Sequence, residues 1–329
     1  MSIDLKTTNI EPIRRTFDHL AEKLGPDKNP TRYQEATFGL QPEVNQHYRP
    51  TWDPEHTLYD RTRTVIVMED FDDLTDPRQY YYGTWTIQRG KQQESQEKNF
   101  QFVESKQLMA AIGDDIRKQI TEFVLPLRHV AWGANTNNNY IAAYGFGAPV
   151  TSGATLQMMD HLGIAQYLTR IGLILNDNEP AILDEAMNLW MNAEMWQPLR
   201  KTIENMMVTK DWFELFIAQN LVLDGLLYPL LLEKFDSHAV SKGAAGYSMM
   251  TEFMSEWFKE SSRWVDAVIK AAGKESDANA THLKNWHAAW LPEVSTALQP
   301  LTEYAFGDGG EALQDVQAKL DKRATKIGL

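Results

Sequence analysis

Apolar positions recur at helical spacing through most of the chain after residue 76. Asp76 is a residue type that often caps helices, and Pro77 would then occupy the first helical position. Apolar stripes separated by glycines such as Gly133 and Gly147 predict helices. Their ranges are about 76–104, 106–132, 151–175, 180–192, 196–233, 247–273, 278–306 and 309–326. Only residues 64–68 have the pattern of a possible strand. We therefore predict an all-α helical bundle spanning residues 77–329.

The longest apolar stretch lies at residues 215–232 and raises the question of a membrane span. It contains Gln219, Asn220, Asp224 and Pro229. These residues make it too polar for a spanning helix of about 20 apolar residues. The stretch therefore predicts a buried central helix in a soluble protein.

The first 76 residues have a different pattern. A short amphipathic helix is predicted at about residues 11–24. Five of the 14 prolines then fall between Pro26 and Pro54, a density that prevents continuous helix or central strand. The same segment contains aromatic residues, which disordered segments usually lack. These are Tyr33, Phe38, Tyr48, Trp52 and Tyr59. Two interpretations stay open: residues 1–76 include an intersubunit arm, or they cover the chain's own helices.

Composition narrows the classes of function. The formal net charge of −13 argues against nucleic acid or an anionic membrane surface as partner. The chain has no cysteine, which excludes disulfides, thiolate zinc sites, iron–sulfur clusters and cysteine nucleophiles. The N-terminal sequence MSIDLKTTNI lacks the basic and apolar regions of a signal peptide, so we expect a cytoplasmic protein.

Long helices in a bundle invite a test for a di-iron carboxylate site. Such a site needs two Glu-x-x-His motifs, because the i, i+3 spacing directs both side chains at one metal pair. No Glu in the chain has a His three positions later. The one Asp-x-x-His, at Asp53 and His56, is interrupted by Pro54. We therefore predict no metal ligand, no cofactor-binding residue and no catalytic residue in this chain.

Four charged residues occur where the helical pattern favours apolar ones. Glu214 and Asp224 interrupt the central helix, and Glu260 and Arg263 stand at i, i+3 among tryptophans and a phenylalanine. A lone buried carboxylate is costly, so each should have a partner. For Glu260 and Arg263 two interpretations stay open: a solvated surface pair, or a partly buried pair that holds helices in register.

Six sequence blocks resemble a known family, the β subunit of the hydroxylase component of bacterial multicomponent phenol hydroxylases. The blocks are YRPTWDP (48–54), TDPRQYYYG (75–83), LPLRHVAWGANTNN (125–138), AQYLTRIGL (165–173), DWFELFIAQNLVLDGLL (211–227) and EFMSEWFKESSRWVDA (252–267). The wider family includes the toluene, alkene and soluble methane monooxygenases, and the phenol branch is the most similar. The resemblance covers nearly the whole chain.

The resemblance implies a fold and a function. In the family, α and β subunits share a ferritin-like helical fold, and α alone carries the di-iron centre. Two αβγ protomers form the hydroxylase, and a separate reductase with FAD and a 2Fe–2S cluster delivers electrons from NADH. A small regulatory protein docks on the hydroxylase, and phenol and methylphenols become catechols. This chain is then expected to be a structural subunit without its own cofactor.

The resemblance also implies relic ligand positions. By helix order, residues 160–163 stand where α has its first Glu-x-x-His, residues 260–263 stand at the second, and Glu214 matches a single-Glu position. In this prediction Gly163 and Arg263 replace histidine, and the Arg263 guanidinium supplies positive charge where α holds iron. Asp160, Glu214, Glu260 and Arg263 are the resulting candidates, with Glu260 and Arg263 as a core ion pair.

Three alternatives differ from this expectation. The chain could be a self-sufficient, divergent ferritin-like oxidase, which stoichiometric iron in the purified chain would reveal. It could be the β subunit of a related toluene or alkene monooxygenase. It could also be a stand-alone helical binding protein, which would be a stable monomer without partner chains.

Overall fold

The computed structural model of the protein describes residues 18–44 and 49–329. Short helical turns at Ala21–Leu24 and Arg32–Thr37 precede the long helices. The helices of the bundle are α1 (Tyr82–Ser105), the short α2 (Asp114–Gln119), α3 (Leu127–Tyr144), α4 (Ala148–Leu175), α5 (Ala181–Asn192), α6 (Gln197–Met207), α7 (Trp212–Ser241), α8 (Ala245–Glu275), α9 (Asp277–Phe306) and α10 (Glu311–Ile327). No strand occurs within the described ranges. The predicted all-α, ferritin-like helical bundle is confirmed.

Helix α7 lies at the centre of the bundle. Its most apolar window has a mean hydropathy of 1.7, and 94% of that window is buried inside the protein. Length and composition alone would allow α7 to cross a membrane, but this burial is that of a core helix. Two π-helical segments, Ile217–Leu223 and Leu230–Phe235, lie on either side of the turn that begins at Asp224. The second segment follows Pro229 directly, where the missing N–H interrupts the α-helical ladder.

The first long helix begins later than predicted, at Tyr82 rather than at residue 76. Asp76 does not cap a helix. Its carboxylate accepts hydrogen bonds from the backbone N–H of Arg78 and, through both oxygens, from the Arg78 guanidinium. Both side chains are almost fully buried, at 1% and 2% exposure. The carboxylate is thus committed to a buried ion pair.

The predicted break at Gly133 is wrong, because α3 continues through it to Tyr144. A Cβ at position 133 would lie 2.7 Å from Cγ2 of Ile203. The glycine therefore serves the close approach of α3 and α6. The predicted helix 196–233 is in fact two helices. Asp211 separates them and caps α7, accepting from the N–H groups of its first turn.

The predicted strand at residues 64–68 is also wrong, although its alternation is real. Ile66 and Met68 are buried, whereas Val67 is 70% exposed. The segment pairs with side chains instead of another strand. Asn279 accepts from the Val67 N–H at 3.1 Å and donates to the Val67 carbonyl at 2.8 Å. Side chains at helix starts thus satisfy backbone groups that a sheet would otherwise pair.

The described part of residues 1–76 lies against the chain's own helices. Tyr33 and Phe38 are buried in a small apolar cluster, whereas Trp52 is 68% exposed and Tyr59 is 37% exposed. Tyr48 and residues 11–17 of the predicted first helix lie outside the described residues. The division into residues 1–76 and 77–329 stays a prediction.

Candidate functional site

A guanidinium whose side chain is 16% exposed joins three helices of the bundle. Arg89 on α1 donates from Nε and Nη2 to the two carboxylate oxygens of Asp160 on α4, at 2.7 and 2.8 Å. Its third nitrogen, Nη1, donates to Glu260 on α8 at 3.1 Å. We call this group, with the neighbouring Tyr80, Trp85 and Trp257, the Arg89 cluster. One cation therefore bridges two carboxylates that are far apart in sequence.

Asp160 is the most enclosed member of the Arg89 cluster, with a side chain only 4% exposed. Besides the two bonds from Arg89, it accepts from Nε1 of Trp85 at 2.9 Å and from Nε1 of Trp257 at 3.0 Å. Four donors thus occupy a single carboxylate. A buried carboxylate is tolerated only when paired and hydrogen-bonded, and Asp160 meets both conditions.

Glu260 is less enclosed, at 23% exposure, and it accepts from the Tyr80 hydroxyl at 3.1 Å. Burial and the nearby charge of Glu260 raise the pKa of Tyr80, so this hydroxyl keeps its proton and donates. Burial acts to lower the pKa of Arg89, but Asp160 and Glu260 together raise it above its ordinary value. The cluster is therefore a fixed cation between two anions.

A second polar chain crosses the bundle beside the Arg89 cluster. His161, next to Asp160 on α4, has Nε2 at 3.2 Å from Oδ2 of Asp224 and Nδ1 at 3.2 Å from the Tyr228 hydroxyl. The other Asp224 oxygen accepts from Gln219 at 2.8 Å. The Gln219 side chain in turn accepts from Asn137 on α3 at 2.8 Å. Burial raises the pKa of Tyr228 well above its usual range, with Asp224 adding to the effect. This series of polar contacts links α3, α4 and α7.

The structure brings together two of the four charged residues singled out from sequence. Asp160 and Glu260 meet through Arg89. Arg263 is exposed and forms no ion pair with any described residue, so the predicted Glu260–Arg263 core pair is wrong. The physical reason is that position 260 faces α1, whereas position 263 faces solvent. Glu214 stands elsewhere and accepts from Nε1 of Trp290 at 3.0 Å.

Sequence reasoning missed Arg89, the residue on which the cluster depends. It lies in TWTIQRGKQQESQ, a stretch of α1 without a clear apolar stripe, so nothing there marks a buried charge. One signal was present. Trp85 and Arg89 are four residues apart and share a helix face, and both reach Asp160. An aromatic donor and a cation on one face were a usable sign of a buried anion.

The donor set does not fit a di-iron centre. Within residues 18–44 and 49–329, no group of three or more His, Asp or Glu side chains is arranged to hold a metal ion. More decisively, Asp160 and Glu260 are already turned to a guanidinium, and His161 is turned to Asp224 and Tyr228. An iron ion would have to displace a cation that is covalently part of α1.

Comparisons with known proteins agree in sequence and in structure. The chain is 43% identical over its full length to the oxygenase component DmpL of phenol 2-monooxygenase from Pseudomonas sp. (strain CF600), covering 98% of it. It is 22% identical over 297 residues to the hydroxylase component subunit beta of the toluene-4-monooxygenase system of Ectopseudomonas mendocina, an alignment spanning 87% of this chain and 88% of that protein.

A solved structure is also similar to this chain. The crystal structure of xenon-pressurized phenol hydroxylase from Pseudomonas sp. OX1 matches with a TM-score of 0.92 and 45% identity, over 98% of this chain and 97% of that chain. Residues 52–276 match the profile of the family described as Methane/Phenol/Alkene Hydroxylase. The chain therefore belongs to the methane/phenol/alkene hydroxylase family.

Proposed function

We propose that this chain is the non-catalytic β subunit of the hydroxylase component of a multicomponent phenol hydroxylase. The observation that carries the proposal is the guanidinium of Arg89, which occupies the carboxylates of Asp160 and Glu260. Full-length relatives that are oxygenase components of phenol 2-monooxygenase support the same conclusion. The chain takes part in an oxidoreductase reaction by supporting the subunit that carries the metal.

The wider assembly follows from the family resemblance. The hydroxylase would be an (αβγ)2 complex with the di-iron centre in α. Electrons would pass from NADH through a reductase that contains FAD and a 2Fe–2S cluster, and a regulatory protein would dock on the hydroxylase. Phenol and methylphenols would be hydroxylated to catechols with O2. All components would be cytoplasmic, without nucleic acid or membrane as partner.

Asp160, Glu260 and Glu214 are proposed to be relics of ligand positions that α still uses. What supports this is the meeting of Asp160 and Glu260 at one cation within the bundle. The positive charge comes from Arg89, not from Arg263 as the sequence suggested. In this view, Arg89 holds together two helices that a metal centre would otherwise join.

The N-terminal arm is proposed to contact α through its outer aromatic residues. Tyr33 and Phe38 are already buried within the chain, so their contribution is to fix the arm on its own helices. Trp52 and Tyr59 keep exposed ring surface, which is the usual anchor of a protein interface. Tyr48, outside the described residues, belongs to the same proposed interface.

Co-purification with iron analysis tests the proposal. We expect a tagged form of this chain to bring down two further hydroxylase subunits at a fixed ratio, with iron in the complex. The same chain purified alone should contain no stoichiometric iron. Stoichiometric iron in the isolated chain would contradict the proposal and would favour a self-sufficient oxidase. A stable monomer that recovers no partner would favour a stand-alone binding protein.

A further inference from the structure

A line of tyrosine and tryptophan side chains runs from the centre of the bundle to its surface. Tyr228 on α7 is 4% exposed, and its ring centroid lies 4.8 Å from that of Trp257 on α8. Trp257 and Trp85 both donate from Nε1 to the carboxylate of Asp160. The Trp85 ring lies 6.5 Å from the ring of Tyr82, which is 72% exposed. We call Tyr228, Trp257, Trp85 and Tyr82 the aromatic line.

The aromatic line consists only of side chains that can lose a single electron. In a chain without cysteine, tyrosine and tryptophan are the side chains that do so most readily. Rings this close exchange electrons by short hops, so the line connects the core with the surface. The two indoles are also needed as donors to Asp160, so their presence alone does not indicate electron transfer. The distinguishing feature is the buried end of the line.

The buried end of the line has a proton acceptor. The Tyr228 hydroxyl lies 3.2 Å from Nδ1 of His161, whose side chain is fully buried, and Nε2 of the same ring lies 3.2 Å from Oδ2 of Asp224. A carboxylate beside Nε2 favours the proton on that nitrogen, so Nδ1 accepts from the Tyr228 hydroxyl. The amide of Gln157 lies 3.4 Å from Nε2, and its oxygen, which otherwise has no partner, fits this tautomer when it faces the ring.

This acceptor is what a buried tyrosine needs in order to be oxidised. Loss of one electron makes the phenol a strong acid, and a phenol shielded from solvent must pass its proton to a base within the protein. Burial raises the pKa of Tyr228 well above its usual range, so the hydroxyl keeps its proton until the electron leaves. His161 can then accept the proton, and the resulting imidazolium forms an ion pair with Asp224.

The geometry points to Tyr228 as a redox-active tyrosine that gives one electron through Trp257, Trp85 and Tyr82 to an oxidant at the surface. One electron leaves the phenol, its O–H bond breaks, and the proton moves to Nδ1 of His161. A neutral tyrosyl radical remains beside an imidazolium. The oxidant is a one-electron acceptor of high potential, such as an oxygen-derived radical, and it is reduced by that electron. Return of one electron and of the proton restores the phenol.

This activity goes beyond the proposed function, in which the chain only supports a partner subunit. Every group in the step belongs to this chain, and none of them is a metal. The chain would take a one-electron oxidising equivalent from its surface and hold it in the core, where the radical is shielded from reaction with other molecules.

Two other buried tyrosines serve as matched controls. Tyr247 is fully buried, but its hydroxyl has no hydrogen-bond partner among the described residues. Tyr80 is as buried as Tyr228, but its hydroxyl donates to Glu260, whose charge is already paired with Arg89. Neither hydroxyl is bonded to a histidine, so burial without the imidazole base is tested by both.

The test uses the full-length chain purified without iron-containing partners, with ruthenium(III) tris(bipyridine) generated by a light flash as the oxidant. Electron paramagnetic resonance and transient absorption measure the tyrosyl radical that persists after radicals on exposed residues have decayed. We expect a persistent radical that Tyr228→Phe removes and that Tyr247→Phe and Tyr80→Phe leave unchanged. Thermal melting of each variant confirms that the bundle is folded.

Two further variants test the proton acceptor and the electron path. Asp224→Asn should lower the yield of the persistent radical about ten-fold or more, because a nearby opposite charge shifts the pKa of a histidine by about one unit or more. The amide also reverses the tautomer of His161 when its N–H faces Nε2, which acts in the same direction. Trp85→Phe should remove the fast phase of radical formation. Trp132→Phe, at an exposed tryptophan on α3 outside the line, should leave that phase unchanged.

Three outcomes would overturn the inference. The first is a folded wild-type chain with no persistent tyrosyl radical, which would make Tyr228 and His161 a polar contact of the core and nothing more. The second is an equal radical in Tyr228→Phe or in Asp224→Asn. The third is unchanged formation in Trp85→Phe, which would reject the aromatic line as the electron path. Each of these leaves the proposed function standing, because that proposal fails only through co-purification and iron analysis.

Discussion

The Arg89 cluster and the N-terminal arm both contain side chains that a helical pattern of apolar and polar positions does not predict. The two regions differ in where those side chains find their contacts. In the cluster, the charges of Arg89, Asp160 and Glu260 find their partners within the chain. In the arm, the aromatic residues divide. Tyr33 and Phe38 are buried locally, while Trp52 and Tyr59 keep exposed ring surface. A buried charge requires a partner within the same chain, whereas an exposed aromatic ring remains available for contact with another chain.

The attachment of the arm explains how both kinds of aromatic residue can coexist there. The Tyr33 hydroxyl accepts from the backbone N–H of Asp76 at 2.7 Å, which ties the arm to the start of the helical region. Farther along, Nε1 of Trp52 donates to the Tyr144 hydroxyl at 3.2 Å at the end of α3. This hydrogen bond fixes one edge of the Trp52 ring, while most of the side chain stays exposed to solvent. An anchored but exposed ring loses little side-chain freedom on binding a partner.

The largest effect should come from Arg89→Met. It strands Asp160 in the bundle, and breaking a buried pair from one side costs about 3–5 kcal/mol of unfolding free energy. Urea denaturation monitored by helicity measures this directly. Arg263→Met is the matched control on α8, where an exposed arginine without an ion pair among the described residues should cost less than about 0.5 kcal/mol. Equal losses in the two variants would contradict the role given to Arg89.

Assembly should respond to the arm more than stability does. Trp52→Ala combined with Tyr59→Ala should weaken recovery of the hydroxylase complex by about 2 kcal/mol or more, because exposed aromatic anchors are typical hot spots. The melting temperature of the isolated chain should change little. Met187→Ala on α5, where Met187 is 50% exposed, controls for loss of exposed apolar surface outside the arm. Normal assembly of the double variant would show that the arm only covers its own helices.

The sequence predicted the bundle well, because apolar periodicity over long segments is a strong signal. The errors concern where helices begin, end or continue and one short segment predicted as a strand, and they have identifiable causes. Asp76 is a residue type that often caps helices, but its carboxylate forms an ion pair with Arg78. Gly133 is a residue type that often ends helices, but it allows close packing of two helices. A residue type allows several uses, and only the fold decides among them.

The candidate site was predicted in part. Glu260 could be found because a carboxylate among aromatic residues is conspicuous, whereas Asp160 was predicted only from the family resemblance, by helix order. Their partner could not be found, because Arg89 lies on a helix with polar residues on all sides and 71 positions away from Asp160. Proximity in sequence favoured Arg263 instead. Local spacing identifies residues that share a helix face, but contacts between helices depend on packing that the pattern does not contain.

A smaller effect is expected in the buried part of the arm, which contains Tyr33, than in the exposed part, which contains Trp52 and Tyr59. Tyr33→Phe leaves the buried N–H of Asp76 without its acceptor, which should cost about 1–2 kcal/mol of chain stability. Burial raises the pKa of Tyr33 to about 12. Its folded pKa is above the unfolded value of about 10, so its contribution is complete below pH 10 and declines as pH rises towards 12. The stability advantage of wild type over Tyr33→Phe should therefore shrink across that window, and an advantage that stays constant would contradict this.

The smallest effect is expected at Glu214. It tests whether this position has lost the role of a metal ligand or still has it. The carboxylate accepts one hydrogen bond, from Nε1 of Trp290 at 3.0 Å, and is not joined to the Arg89 cluster. Glu214→Gln keeps an acceptor oxygen at this place, so chain stability should change by less than about 0.5 kcal/mol. Iron in the assembled hydroxylase should be unchanged by Glu214→Gln and also by Asp160→Asn, although Asp160→Asn should destabilise the chain by leaving Arg89 with a single carboxylate. Metal analysis of intact complexes measures this. Loss of about half of the iron or more from an intact Glu214→Gln complex would show that this chain holds metal after all.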